Sequence, residues 1–141
     1  MILETNPKKL EVLMRKSIND NFKFFNDDHK INVYPLGSNN ICLNYRTTAK
    51  LGSQLSGTTH FDIQLIGYIC YLLNIELEES LRGKGAGWTL YESIHQFSRN
   101  AGYKNVRQTA SGWTPQGKTR KQYLLERGYI IFEENEVELT L

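Results

Sequence analysis

Arg82-Gly83-Lys84-Gly85-Ala86-Gly87 holds three glycines in six residues, and the architecture of the chain can be built outward from it. Before it runs an apolar, strand-like segment, Tyr71 to Leu77; after it, Trp88 to Ala101 carries helical spacing, so the six residues form a strand-to-helix elbow. Three glycines in this short span let the backbone bend sharply and let a bulky anion reach the amides without meeting Cβ atoms. The helix beyond begins with unpaired N–H groups and the positive end of its dipole. Main chain alone therefore offers a phosphate-binding site.

Upstream of the elbow, Phe61 to Leu77 is too long for one ordinary strand, and Gly67 marks either a turn between two strands or a bulge in one. Downstream, Leu90, Ile94, Phe97 and Ala101 give the helix an apolar stripe, Gly102 ends it, and Tyr103 to Ser111 reads as a strand. Strand, helix and strand make a right-handed parallel crossover. Gln116 to Arg127 reads as a last helix stopped by Gly128, and Tyr129 to Glu133 with Val137 to Leu141 as a hairpin around Glu134-Asn135-Glu136.

Toward the N-terminus, Met1 to Glu4 fits a short first strand. Asn6-Pro7 is a helix start, followed at helical spacing by Leu10, Leu13, Met14, Ile18, Phe22 and Phe25, which predicts helix to about Phe25. Ile31 to Leu36 and Ile41 to Thr48 form a hairpin around Gly37-Ser38-Asn39-Asn40, and Ala49 to Thr59, without periodicity, reads as an exposed loop. The whole is an α/β fold, a mixed sheet with a central β-α-β unit, in one domain over residues 1–141.

Composition narrows the function. A net charge of +2 argues against a broad nucleic-acid surface. No apolar run reaches the roughly 20 residues a membrane helix needs, and the N-terminus lacks the features of a secretory signal. Cys42 and Cys70 lie in apolar strand-like runs and read as buried reduced thiols, so a soluble cytoplasmic protein is expected. His29, His60 and His95 are scattered without ligand spacing, and no metal is expected.

Two other glycine motifs compete. A dinucleotide fingerprint would need a glycine where Trp88 stands. Gly112-Trp113-Thr114-Pro115-Gln116-Gly117-Lys118-Thr119 satisfies the phosphate-loop pattern of nucleoside triphosphatases. However, Lys104, Asn105, Arg107 and Gln108 interrupt the strand before it, and too little chain follows for the remaining parallel strands. A P-loop nucleotide-binding protein is the weaker alternative.

From about Leu73 to Phe132 the chain resembles the GCN5-related N-acetyltransferases (GNAT). Arg82 to Gly87 matches their Q/R-x-x-G-x-G/A motif between an apolar strand and an amphipathic helix, and Leu125-Glu126-Arg127-Gly128-Tyr129 is similar to the family's helix-ending stretch before a final hairpin. The resemblance implies acetyl-CoA as cosubstrate. Residues Arg82, Gly83, Lys84, Gly85, Ala86, Gly87 and Trp88 would hold the diphosphate, and the pantetheine arm would lie along the strand edge near Ile75, Glu76 and Leu77.

It implies an N-acetyltransferase acting on a primary amine, be that a small molecule, a polyamine or a protein amine. Glu76 and Glu78, on one face of an extended strand, are the candidate proton acceptors, with Glu76 deeper. The Leu77 N–H is the candidate oxyanion donor. The family's acid, a tyrosine four residues before the last helix's glycine, is here Leu124, with Tyr123 one residue earlier as the candidate; an asparagine that often supports the cofactor is replaced near Gly117. Lys118, Arg120 and Lys121 solvate helix faces or meet the coenzyme's 3′-phosphate. His60 with Asp62 reads as an edge pair or as lining for the acceptor. Asp62, Glu76, Glu78 and Glu79 favour a cationic acceptor. A non-catalytic acyl-CoA-binding or regulatory module is the other alternative, and a homodimer through the terminal hairpin stays open.

Overall fold

The computed structural model describes residues 3–23, 29–51, 54–83, 85–114 and 117–141, with the side chains at 48–51, 54–57 and 80 left out. Lys84, Phe25 and the Pro115-Gln116 pair lie outside the described residues.

Helix α1 (Pro7–Asn21) starts where the Asn6 side chain accepts the Lys9 N–H, with proline at the first helical position. Leu10, Met14 and Ile18 are its fully buried stripe. It ends at Asn21, earlier than the apolar spacing suggests. Leu3 and Glu4 are not a strand; the Glu4 N–H donates instead to the carbonyl of Ala101, holding the N-terminal segment against another helix.

Strands β1 (His29–Gly37) and β2 (Asn40–Leu51) form the expected hairpin, with Asn39 in the left-handed region at φ 55°. The segment expected as a loop from Ala49 to Thr59 is instead mostly ladder: β2 runs to Leu51 and β3 (Gln54–Ile66) starts soon after. Its polar residues mislead because antiparallel pairing satisfies the backbone whatever the side chains are. Phe61 to Leu77 splits into β3 and β4 (Ile69–Glu76) at a turn through Gly67, φ 56°, as the glycine suggested.

After a 3-10 turn (Glu79–Leu81) and the elbow comes α2 (Ala86–Ala101), closed by Gly102 in the left-handed region at φ 90°. Strand β5 (Asn105–Thr109) follows, parallel to β4. The last helix, α3 (Arg120–Leu125), is shorter than expected: Gly117 takes φ 79°, and Thr119 caps the helix in a reciprocal box with Gln122. Strands β6 (Ile130–Glu133) and β7 (Glu136–Thr140) form the terminal hairpin.

The seven strands make one sheet in the order β1-β2-β3-β4-β5-β7-β6, antiparallel except between β4 and β5. Register places the buried side chains on one face: Leu43 opposite Ile63, Ile63 opposite Leu72, and Cys70 opposite Val106. Helices α1 and α2 pack together, and their buried stripes join that face in a single core with Tyr45, Phe61 and Phe97. Burying such side chains is the main favourable contribution, at about 1.5–3 kcal/mol each. The opposite face is polar, with Asn44, Asp62 and Asn74 aligned across three strands. Cys42 and Cys70 are free and buried, as expected. Among the described residues no helix is long and apolar enough to cross a membrane.

Candidate functional site

Parallel pairing between β4 and β5 runs from Ile69 opposite Asn105 to Leu72 opposite Gln108 and stops there. Strand β4 continues to Glu76, still paired with β3, while β5, paired with β7 along its length, ends at Thr109. A bulge sits at this point: Asp62 faces Asn74 but Ile63 faces Leu72, leaving Leu73 as the extra residue of β4. Such a bulge bends a strand and raises its twist. The two parallel strands therefore part, and a cleft opens beyond their carboxyl ends, where open α/β sheets bind ligands.

The elbow lies at this cleft. Arg82 Nε donates to the Leu77 carbonyl at 3.0 Å, tying the elbow to the strand end. Gly83 and Gly85 both take φ 78°, a conformation that L side chains resist, and a Cβ at either would meet no atom within 4 Å. The backbone is thus bare toward open space. Gly85 is also the residue before α2, whose first N–H groups have no partner within the helix.

Together these elements enclose a cavity of about 450 Å³. Ile75, Glu76 and Leu77 form one wall, Arg82, Gly83, Gly85, Gly87 and Trp88 the elbow side, and Leu90 and Tyr91 of α2 the inner side. Trp113 and Thr114 after β5, and Arg120 and Tyr123 of α3, complete it. Of the residues expected at a cofactor, all but two line this cavity: Ala86 is fully buried as the first helical residue, and Lys84 lies outside the described residues.

The two candidate carboxylates separate. Glu76 lines the cavity, with its side chain 59 % exposed, 3.9 Å from Arg82 and 3.8 Å from Nε2 of His60. Glu78 is buried, its N–H donating to Oγ1 of Thr59. They do not share a face, because β4 ends at Glu76 and the chain turns into the 3-10 segment. His60 is not at an edge either: β3 is an inner strand, and the ring meets Glu76 and, at 3.2 Å, Nδ2 of Asn74.

Tyr123 lies on the cavity wall, edge-on to Trp88, with Arg127 stacked 3.7 Å from its ring centre. Burial pushes its phenol up, and the Arg127 and Arg120 charges oppose that shift. Leu124 is fully buried. Arg120 does not solvate a helix face: its NH1 donates to the Tyr91 hydroxyl at 2.9 Å inside the cavity. Lys118 pairs with Glu126, and Lys121 donates to the Glu134 carbonyl.

The phosphate-loop pattern at Gly112 to Thr119 folds otherwise. Thr114 N–H donates to the Lys118 carbonyl, Arg120 N–H to the Gly112 carbonyl, and Trp113 bridges Thr119, so the segment closes on itself. Sequence reasoning missed Tyr91, Trp113 and the inward Arg120. A signal for Tyr91 was available, since it is a polar-tipped aromatic within the apolar stripe of α2.

Comparison with solved structures places this architecture. An acetyltransferase from Bacillus cereus is similar over 100% of this chain and 97% of its own, at 13% identity and TM-score 0.53. An N-acetyltransferase from Thermoplasma acidophilum in complex with coenzyme A is similar over 73% of this chain and 62% of its own, at 14% identity and TM-score 0.51. A GNAT family acetyltransferase from Elizabethkingia anophelis with acetyl-CoA bound matches at 12% identity and TM-score 0.50, over 82% of this chain and 100% of its own. No family model matches the chain, and no curated protein matches it. The mixed seven-stranded sheet and its helices have the acyltransferase fold of the GCN5-related N-acetyltransferases. The resemblance carried by Arg82 to Gly87 therefore holds at the level of the fold.

Proposed function

We propose that the chain is an acetyl-CoA-dependent N-acetyltransferase of the GNAT superfamily, passing an acetyl group to a primary amine by direct attack. The observation that carries this reading is the bare, left-handed backbone of Gly83 and Gly85 facing a cavity at the point where β4 and β5 part. Coenzyme A in the Thermoplasma structure and acetyl-CoA in the Elizabethkingia structure support the choice of ligand.

In this reading the amides from Gly83 to Trp88 hold the diphosphate, with the α2 dipole favouring its charge. The pantetheine arm lies along Ile75 to Leu77, an edge that β5 leaves free. The amine nitrogen attacks the thioester carbon; Glu76, at the mouth of the cavity, takes the amine proton directly or through a water. In this reading the Leu77 N–H stabilises the carbonyl oxygen as charge builds on it. The departing thiolate needs a proton, and two phenols on the wall, Tyr91 and Tyr123, are within the cavity to supply it.

The acceptor is an amine. Of the four carboxylates expected to favour a cation, Glu76 lines the cavity, Glu78 is buried, and Asp62 is already held by Asn44 at 2.6 Å and Arg46 at 3.6 Å. Thiol release from acetyl-CoA across a panel of amines tests the reading. Amine-dependent release is expected; acetyl-CoA binding without release on any amine would leave a non-catalytic acyl-CoA module.

A further inference from the structure

Resting on the transferase reading, one question is where the leaving thiolate gets its proton. Leu124, where the resemblance leads one to look for a tyrosine, has no proton and no exposure. Tyr123 and Tyr91 both reach the cavity, and their surroundings differ. Arg127 covers the face of the Tyr123 ring while its NH1 donates to the Tyr123 carbonyl. Its charge and that of Arg120 oppose the shift from burial, yet among the described residues neither guanidinium donates to the phenol oxygen.

Tyr91 is set up differently. Its oxygen accepts the N–H of Arg120 at 2.9 Å, so a guanidinium already points at the atom that would turn negative. Its own proton is weakly engaged, reaching the Gln108 Oε1 only at 3.4 Å, near the limit of a hydrogen bond. Among the described residues Arg120 makes no ion pair, whereas Arg82 and Arg127 each face a glutamate. Its charge is therefore not already neutralised.

Position points the same way. Gln108 belongs to the last paired rung, opposite Leu72, so the Tyr91 hydroxyl lies at the inner end of the cleft where the strands part. Tyr91 is five positions into α2 from Ala86, about 7.5 Å along the axis from the end that would hold the diphosphate. A thioester at the tip of an extended arm belongs at this inner end. Gln108 also carries a buried Nε2 with no hydrogen-bond partner among the described residues. The inner end is thus polar and only partly satisfied, as a ligand site is.

We propose that Tyr91, held by Arg120, is the acid that protonates the coenzyme A thiolate. The amine lone pair forms the C–N bond and the C–S bond breaks, with its electron pair leaving on sulfur. Sulfur takes the Tyr91 proton, Glu76 takes the proton shed by the amine, and the Tyr91 phenolate, paired with Arg120, recovers a proton from solvent. Nothing is oxidised or reduced. Arg120 acts through Tyr91 and is a positioning residue.

The test compares wild type, Tyr91→Phe, Arg120→Met and Tyr123→Phe in steady-state acetyl transfer, with acetyl-CoA affinity measured separately by calorimetry. Tyr91→Phe should lower kcat by about 100-fold, within the range for loss of a general acid, while acetyl-CoA affinity stays within threefold. Arg120→Met should lower kcat in the same direction without a matching rise in KM, and the double variant should be no worse than Tyr91→Phe, since the two act as one unit. Should Tyr91→Phe fail to fold, Arg120→Met, which keeps the ring in place, carries the test. A Tyr91→Phe enzyme within threefold of wild type, or a larger loss in Tyr123→Phe, overturns the assignment while leaving the transferase reading intact. A wild type that releases no thiol overturns both.

Discussion

Leu72 of β4 and Gln108 of β5 are the last residues paired across the parallel ladder, and Leu73 beside them is the extra residue of a bulge against β3. The opening beyond that rung follows from the bulge: added twist on one side of β4 takes its end away from β5. Every cavity residue is then supplied by an element that starts or ends there. The site is thus a consequence of where pairing stops.

Glu76 is predicted to act on the amine rather than on the cofactor. Glu76→Gln keeps the size and the reach to Arg82 and His60 but cannot accept a proton. It should lower kcat by about 100-fold or more with acetyl-CoA affinity unchanged. Equal activity in steady-state assays would remove Glu76 from the chemistry.

His95 should make the fold acid-sensitive. Its Nε2 lies 2.6 Å from the Tyr129 hydroxyl, and burial, with the Arg99 charge, holds the ring at about 4, below its ordinary 6.5. Between those values the unfolded chain binds a proton that the folded chain refuses. This contribution is therefore complete above pH 6.5 and is lost as pH falls, by up to roughly 3 kcal/mol near pH 4. Urea unfolding of wild type and His95→Phe from pH 7 to pH 4.5 should show a shallower decline for the variant. Parallel curves would contradict the assignment.

Thr119→Ala should loosen α3. The hydroxyl caps the Gln122 N–H and the Gln122 side chain returns to the Thr119 N–H. Losing the box costs about 1 kcal/mol, or a fall of about 4 °C in thermal midpoint for a domain of this size. An unchanged midpoint by calorimetric melting would show the box contributes nothing.

Much of this fold can be read from the sequence, for physical reasons that differ by element. The β3–β4 turn, the elbow, the end of α2 and the stop before the terminal hairpin are readable because glycine at Gly67, Gly85, Gly102 and Gly128 marks left-handed backbone that few other residues adopt. The β2–β3 extension was hidden, since Ala49 to Thr59 has no alternation and its pairing is set by the partner strand. Glu78 misled because period-two reasoning holds only while the strand lasts, and β4 ends two residues earlier. Arg120 misled because charged residues near helix starts usually face water, and only the Tyr91 hydroxyl on a distant helix turns it inward. Trp113 reaches the cavity through the fold of its loop, which local spacing does not encode.

Bare amides around Gly85 are proposed to grip the coenzyme's diphosphate, and titration calorimetry with acetyl-CoA reads that grip. Wild type should bind, and Gly85→Glu, whose side chain enters space now open within 4 Å, should bind at least about 100-fold more weakly, a loss of about 2.7 kcal/mol. Gly85→Ala controls for the cost of a side chain at φ 78°, about 1–2 kcal/mol of stability, and should keep most of the affinity. Equal binding by wild type and a folded Gly85→Glu variant, or no binding by wild type, would mean that the diphosphate is not held there.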